Sequence, residues 1–198
     1  MAIKFQYNKT SMQGLNKQLK IRLTALPTLK NKESALRAEV AKQKDEIKKL
    51  NLALEQKQVE LEKIIQLYAE FDPELVKVKE IEISVKKIAG VKTPVLDKVH
   101  YDTIDYSLFL QKAWIPGGID ILKNISQLNI EVLIAKRKMQ VLDYARRKTT
   151  QKVNLYEKVQ IPELNNAVLK IKRYLEDVEN LEKSAQKIVK ARVTGAAA

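Results

Sequence analysis

The sequence predicts a mostly helical fold in which N- and C-terminal helices form a long antiparallel coiled coil, with a small β-hairpin-like insert at the chain reversal. Three observations predict it: an apolar heptad repeat near the start, a second apolar stripe near the end, and an alternating, β-branched stretch between them. We expect three segments: a coiled-coil helix over 1–71, a β-containing insert over 72–117, and a coiled-coil helix with a basic tail over 118–198.

The first helix carries the clearest pattern. With position a at Met12 and position d at Leu15, fourteen of the eighteen a and d positions up to Phe71 are apolar or aromatic. A 3.5-residue repeat sustained over this length indicates a left-handed coiled coil. Pro27 interrupts the helical pattern, and we expect the helix to bend or break there.

The insert has the composition of strands. Residues 76–85, VKVKEIEISV, alternate apolar and polar side chains, and residues 88–96 contain a glycine and a proline at turn-like spacing. Residues 101–110, YDTIDYSLFL, are again strand-like. This pattern predicts a small antiparallel hairpin.

The second stripe runs from Ile125 to Tyr156 and resumes from Ile161 to Val189, out of step by one residue. The step falls beside Pro162, although proline inside a helix can cost roughly 3 kcal/mol. We expect a bend at Pro162 that re-aims the stripe toward its partner helix.

The composition argues against an enzyme. The chain has no Cys, one His and five Gly, and it contains no P-loop, dinucleotide fingerprint or HExxH zinc pair. We therefore predict no catalytic, cofactor-binding or metal-binding residues. No apolar run approaches the roughly 20 residues of a membrane span, and the first residues lack a signal-peptide core, so we expect a cytoplasmic protein without direct membrane insertion.

The net charge of +13 indicates an acidic partner or a solvated coiled-coil surface. Two basic clusters, residues 136–138 and 146–148, lie about three helical turns apart, so that Lys136 and Arg147 share one helix face. A solvated face, an acidic protein surface and nucleic acid all remain open. Nucleic acid ranks last, because no aromatic residues interleave with the charges and no recognition module is visible.

Three stretches resemble the D subunit of the V-type and archaeal/bacterial A-type rotary ATPases. They are LKNKESALRAE at 29–39, AGVKTPVL at 89–96 and TTQKVNLYEKVQIP at 149–162. The third is the most specific, since no generic coiled coil needs its asymmetric spacing. The sequence departs from the family pattern at Glu33 and Ser34, where arginine and aspartate are expected, and at Gln151 and Lys152, where two arginines are expected.

The resemblance implies a non-catalytic central-stalk rotor shaft, which transmits torque between a hexamer of A and B subunits and a membrane ion-translocating ring. It implies the A, B, F and d (or C) subunits as partners, no cofactor, one copy per complex, and a cytoplasmic position peripheral to the inner or plasma membrane. The candidate partner-binding residues are Lys30, Lys32, Lys136, Arg137, Lys138, Arg146, Arg147, Asn154, Glu157 and Pro162.

Two rival interpretations remain. The gamma subunit of F-type ATP synthase also pairs its terminal helices, but it carries a much larger α/β insert than this sequence has. A basic coiled-coil adaptor that binds nucleic acid or anionic membrane would share the charge and the heptads.

Overall fold

The computed structural model describes residues 4–62, 65–68, 71–72, 75–103 and 112–195. The elements are α1 (Lys9–Glu62), α2 (Ile65–Tyr68), β1 (Val76–Ile88), β2 (Val91–Thr103), α3 (Ile115–Asn154), a π-helical segment (Leu155–Gln160) and α4 (Ile161–Gly195). The predicted fold class is confirmed: long N- and C-terminal helices flank a small antiparallel hairpin.

The chain forms two compact units. The first unit joins Met1–Lys32 with Thr149–Ala198, and the second unit is Glu33–Lys148. Each is described by itself below.

Helix α1 begins at an asparagine cap. The Asn8 Oδ1 atom accepts a hydrogen bond of 2.7 Å from the backbone N–H of Ser11, which satisfies one of the free donors of the first turn. The helix then continues through Pro27, so the expected break does not occur. Pro27 is exposed, so the carbonyl that loses its partner can be solvated, while half-buried Leu26 and Leu29 hold the flanking turns in place.

The heptad assignment of α1 matches the burial. Among the described residues from Met12 to Phe71, every a and d side chain is buried or half-buried except Lys57. Two of the polar residues at positions a and d form hydrogen bonds: Arg22 with Gln160, and Gln43 with Glu46. The seam therefore tolerates these polar groups because most of their donors are satisfied.

In the first unit, Leu15 of α1 packs with Leu164, Ala167 and Ile171 of α4. Further along α1, Arg22 meets Gln160 and Lys30 meets Glu157. As residue numbers increase along α1, the residue numbers of the contacting residues decrease, so the two helices run antiparallel.

In the second unit, Leu36 and Val40 of α1 pack with Leu142 of α3. Ile88 and Val91, on either side of the hairpin turn, pack against the same cluster. The hairpin tip therefore lies on the helix pair instead of projecting from it.

The hairpin pairs β1 with β2 in antiparallel register from Val76↔Thr103 to Ile88↔Val91. Its two-residue turn, Ala89–Gly90, has positive φ at both positions, 48° and 77°, as a type I′ turn requires. The prediction of a hairpin is confirmed. The third strand-like stretch contributes its first three residues to β2, and residues 104–110 lie outside the described residues.

A third cluster lies at the start of α3, where Leu75, Ile115 and Ile119 are buried beside Trp114. Gly118 is needed here because a Cβ atom would lie 2.9 Å from Cζ3 of Trp114. Helix α3 begins at Ile115, so Pro116, Gly117 and Gly118 of the sequence WIPGG lie in its first turn, where proline is readily accommodated.

Candidate partner-binding site at the π-helical segment

Between α3 and α4, just before Pro162, the helical turn contains one residue more than an α-helical turn. The backbone N–H of Ile161 donates to the carbonyl of Tyr156, five residues earlier, instead of to a carbonyl four residues earlier. Pro162 has no N–H and cannot continue the α-helical ladder. The segment Leu155–Gln160 is therefore a π-helical turn that ends beside the proline, a feature often found at functional sites.

This turn explains the one-residue step in the apolar stripe. Thr149 and Val153 are buried before it, and Leu164 and Ile171 are buried after it. Successive residues of the apolar stripe are otherwise three or four positions apart, but half-buried Tyr156 and Ile161 are five positions apart. The predicted step is confirmed, and the π-helical turn absorbs the additional residue. The predicted bend stays a prediction.

Two cross-helix contacts join the π-helical segment to α1, one at Glu157 within it and one at Gln160 at its end. The Lys30 ammonium lies 2.6 Å from the Glu157 carboxylate, and the Arg22 Nε donates to Gln160 Oε1 at 2.7 Å. Pro27 lies between Arg22 and Lys30 along α1. Both prolines of the first unit are thus placed where the two helices are joined by polar contacts.

An apolar groove of about 730 Å³ runs beside this segment, which we call the π-groove. Its walls are Lys17, Lys20, Ile21, Thr24, Ala25, Thr28 and Leu29 of α1 with Lys152 and Tyr156. Ile21 is 59% exposed and, with Ala25, Leu29 and Tyr156, forms the apolar part of the groove wall. The lysines give the groove a positive rim.

The predicted residues Lys136, Arg137 and Lys138 lie in the second unit on α3. Lys136 and Arg137 are exposed, Lys138 is half-buried, and Arg137 Nη1 lies a long 3.5 Å from Gln140 Oε1. Partner binding by this cluster stays a prediction.

The second basic cluster is partly neutralised. The Asp143 carboxylate accepts from the Nε atoms of Arg146 at 2.9 Å and of Arg147 at 2.8 Å. The hydrogen bond from Arg146, together with the charges of both guanidinium groups, holds the pKa of Asp143 below its usual value of 3.8. These two arginines carry less free charge than the sequence indicates.

The remaining predicted residues, Lys32, Asn154 and Pro162, are exposed. The structure thus brings Lys30 and Glu157 together, and places Asn154 and Pro162 at either end of the π-helical segment. Sequence analysis missed Arg22, Gln160 and Asp143. Two signals were available in the sequence. Arg22 is a polar residue at heptad position d, and Asp143 precedes Arg146 and Arg147 by three and four residues, a spacing at which helical side chains pair.

The described part of the chain offers neither a membrane span nor a metal site. None of its helices is long and apolar enough to cross a membrane. None of its groups of three or more His, Cys, Asp or Glu side chains could hold a metal ion.

Comparison with known proteins defines the class. The family described as the D subunit of ATP synthase matches residues 11–191. The D subunit of the V-type ATP synthase from Borreliella burgdorferi is 32% identical over 190 residues, which cover 95% of this chain and 94% of that protein. A protein of the same name from Chlamydia muridarum is 27% identical over 198 residues, with 98% of each chain covered.

The chain belongs to the family of ATP synthase D subunits. This confirms the family resemblance and the prediction of a non-catalytic stalk subunit of a membrane-associated complex.

Proposed function

We propose that this chain is the central rotor shaft of a V-type ATP synthase. It transmits torque between a hexamer of alternating A and B subunits and the membrane ion-translocating ring. It binds the F and d (or C) subunits of the central stalk, inserts into no membrane, and works on the cytoplasmic side. It enters the complex as one copy.

The observation that carries this proposal is the apolar surface of the first unit. Ile21 and Leu23 are 59% and 49% exposed, and they lie on opposite flanks of Arg22, which faces the partner helix. On α4, Leu181, Ile188, Val189 and Val193 are each more than half exposed. The α4 residues form one stripe on a stretch, Glu179 to Val193, in which every residue is exposed. Apolar surface on both helices of the first unit favours contact with a surrounding protein over a solvated surface.

The charge around the π-groove supports an acidic sleeve. Lys17, Lys20 and Lys152 line the groove, and each is exposed. Apolar walls with a cationic rim fit protein loops that combine apolar and acidic side chains. Nucleic acid fits less well, because Tyr156 is the one aromatic side chain among the described walls of the groove and it is half-buried.

Symmetry supports a single copy. A shaft built from two unlike helices cannot follow the threefold symmetry of an A/B hexamer, so its sides meet the three catalytic interfaces differently. The π-helical segment adds to this asymmetry, because it rotates the contact face of one helix and not the other. Turning such a shaft would exchange the states of the three interfaces.

Native mass spectrometry of the reconstituted soluble complex tests the proposal. With the A, B and F subunits present, we expect one copy of this chain for three A and three B subunits. Three copies, or no assembly, would contradict the rotor assignment. Salt-sensitive binding of the wild-type chain to DNA or anionic vesicles, without assembly, would favour the basic adaptor instead.

A further inference from the structure

A cavity of about 500 Å³ lies in the second unit between α1, β2 and α3, and we call it the Gln43 cavity. Its volume is in the range of sites that hold ligands or side chains. The charged and polar groups on its walls are Gln43, Glu46, Asp97, Lys98, Glu131 and Lys138, together with Gln127.

Gln43 is the unusual member of this set. It is 2% exposed and occupies a d position, where leucine would normally pack. Its Nε2 donates to Glu46 Oε2 at 2.8 Å and lies 3.4 Å from Glu39 Oε1. Its Oε1 is buried with no hydrogen-bond partner among the described residues.

Two neighbouring carboxylates set the present orientation of this amide. Carboxylates at neutral pH only accept hydrogen bonds, so Nε2 must face Glu46 and Glu39, and Oε1 must face away from them. A buried acceptor without a donor is unfavourable. The side chain therefore needs a donor that the described part of this chain does not supply.

The charge of the cavity favours a cationic donor. Three carboxylates and two lysines line it, which is an acidic balance in a chain of net charge +13. Glu131 accepts one bond from Gln127 at 3.0 Å, and Asp97 accepts one from Ser84 at 2.9 Å. Each carboxylate retains unused lone pairs, so a cation with several N–H donors complements the site.

We propose that the Gln43 cavity receives an arginine or lysine side chain from another protein of the ATP synthase complex. The incoming side chain donates to Glu46 or Glu131 and takes the place of Gln43 Nε2 at Glu46, so that the amide turns and its Oε1 accepts from the same cation. This rests on the proposed function, because the partner belongs to the same complex.

Photo-crosslinking identifies the occupant directly. The chain has no Cys, so Gln127→Cys on the cavity wall can be labelled selectively with a benzophenone maleimide in the assembled complex. Gln56→Cys, exposed on α1 away from the cavity, is the matched control. We expect the label at 127, and not at 56, to capture a peptide of another protein of the complex that contains Arg or Lys. Capture of a peptide without a basic residue, or no capture above control, would overturn the proposal.

Substitutions provide the second readout. Gln43→Leu should raise the unfolding midpoint of the isolated chain, since it removes an unpaired acceptor, yet weaken association with the other soluble subunits at least about tenfold. Glu46→Gln should also weaken association, whereas Gln56→Leu and Glu55→Gln should leave it unchanged. A lower midpoint for Gln43→Leu together with unchanged association would show that the amide serves only the fold.

The two proposals fail differently. If the wild-type chain does not join the other subunits, the proposed function is wrong. If the wild type assembles and the Gln43→Leu and Glu46→Gln variants assemble equally tightly, only the cavity assignment is wrong.

Discussion

The backbone N–H of Ile161 donates to the carbonyl of Tyr156, and this five-residue hydrogen bond closes the π-helical segment beside Pro162. It places one additional residue in the helix, and Leu164 and Ile171 remain buried after it. The register of the first unit therefore depends on the number of residues in this turn, with the proline marking its end.

Deleting Lys158 should convert the π-helical turn into α-helix with little loss of stability. Lys158 is exposed, and removing it leaves the apolar residues on either side in the three-and-four spacing of a continuous stripe. We expect the free energy of unfolding to change by no more than about 1 kcal/mol, measured by denaturant unfolding of the full chain.

Deleting Lys170 is the matched control. This lysine is equally exposed but lies in regular α-helix, so its removal rotates Ile171 and Leu175 away from Leu15 and its neighbours. We expect a loss of roughly 2–5 kcal/mol, as for removal of a large buried side chain. Equal losses for both deletions would mean that the π-helical turn does not absorb the register step.

The Lys30–Glu157 ion pair should contribute little to the stability of the isolated chain. Its side chains are 48% and 45% exposed, and exposed pairs are screened by solvent. A double-mutant cycle with Lys30→Gln and Glu157→Gln should give a coupling below about 1 kcal/mol. If these residues bind a partner, as the sequence predicts, each substitution should weaken assembly far more than it weakens folding. Assembly that is unchanged in both variants would remove them from the interface.

Asp143 should make the stability of the second unit depend on pH in the acid range. Arg146 and Arg147 lower the folded-state pKa of Asp143 below 3.8, so its contribution is present above that value and is lost as pH falls through the folded pKa. Asp143→Asn should cost on the order of 1 kcal/mol at pH 7, mostly through the pair with Arg146, because Arg147 is 71% exposed and its pair with Asp143 is screened by solvent. The difference from wild type should vanish below the folded pKa. A difference that persists there would place the effect in packing instead of charge.

Ala89→Asn should stabilise the hairpin. Ala89 has a φ of 48°, a left-handed conformation that asparagine adopts more readily than alanine, and Asn-Gly is a preferred sequence for this turn. We expect a gain of about 0.5–1 kcal/mol, measured by amide hydrogen exchange of β1 and β2. Ala89→Val should have the opposite sign, since a β-branched side chain disfavours positive φ. Stabilisation by valine would contradict the turn assignment.

Much of the helical fold could be predicted from the sequence because burial in a coiled coil follows a short repeat. Leu36, Val40 and Ile47 lie at heptad positions and are buried as the repeat requires. The hairpin turn was also visible, since Gly90 follows an alternating stretch.

Other features could not be predicted. Pro27 indicated a break, yet packing on either side keeps α1 continuous. A one-residue step in the stripe was visible, but a bend, a loop and a π-helical turn would all produce it, and only the bond from Ile161 to Tyr156 distinguishes them. The partial neutralisation of Arg146 and Arg147 depends on side-chain rotamers at Asp143, which residue spacing does not determine.

Observation of rotation tests the central claim most directly. Lys87→Cys, exposed in β1 near the hairpin turn, would be the only cysteine of the chain and can carry a bead or gold particle. With the A/B hexamer fixed to a surface and ATP supplied, we predict unidirectional rotation with pauses about 120° apart, set by three equivalent catalytic interfaces. A complex that hydrolyses ATP while the particle stays at one angle would contradict the rotor assignment.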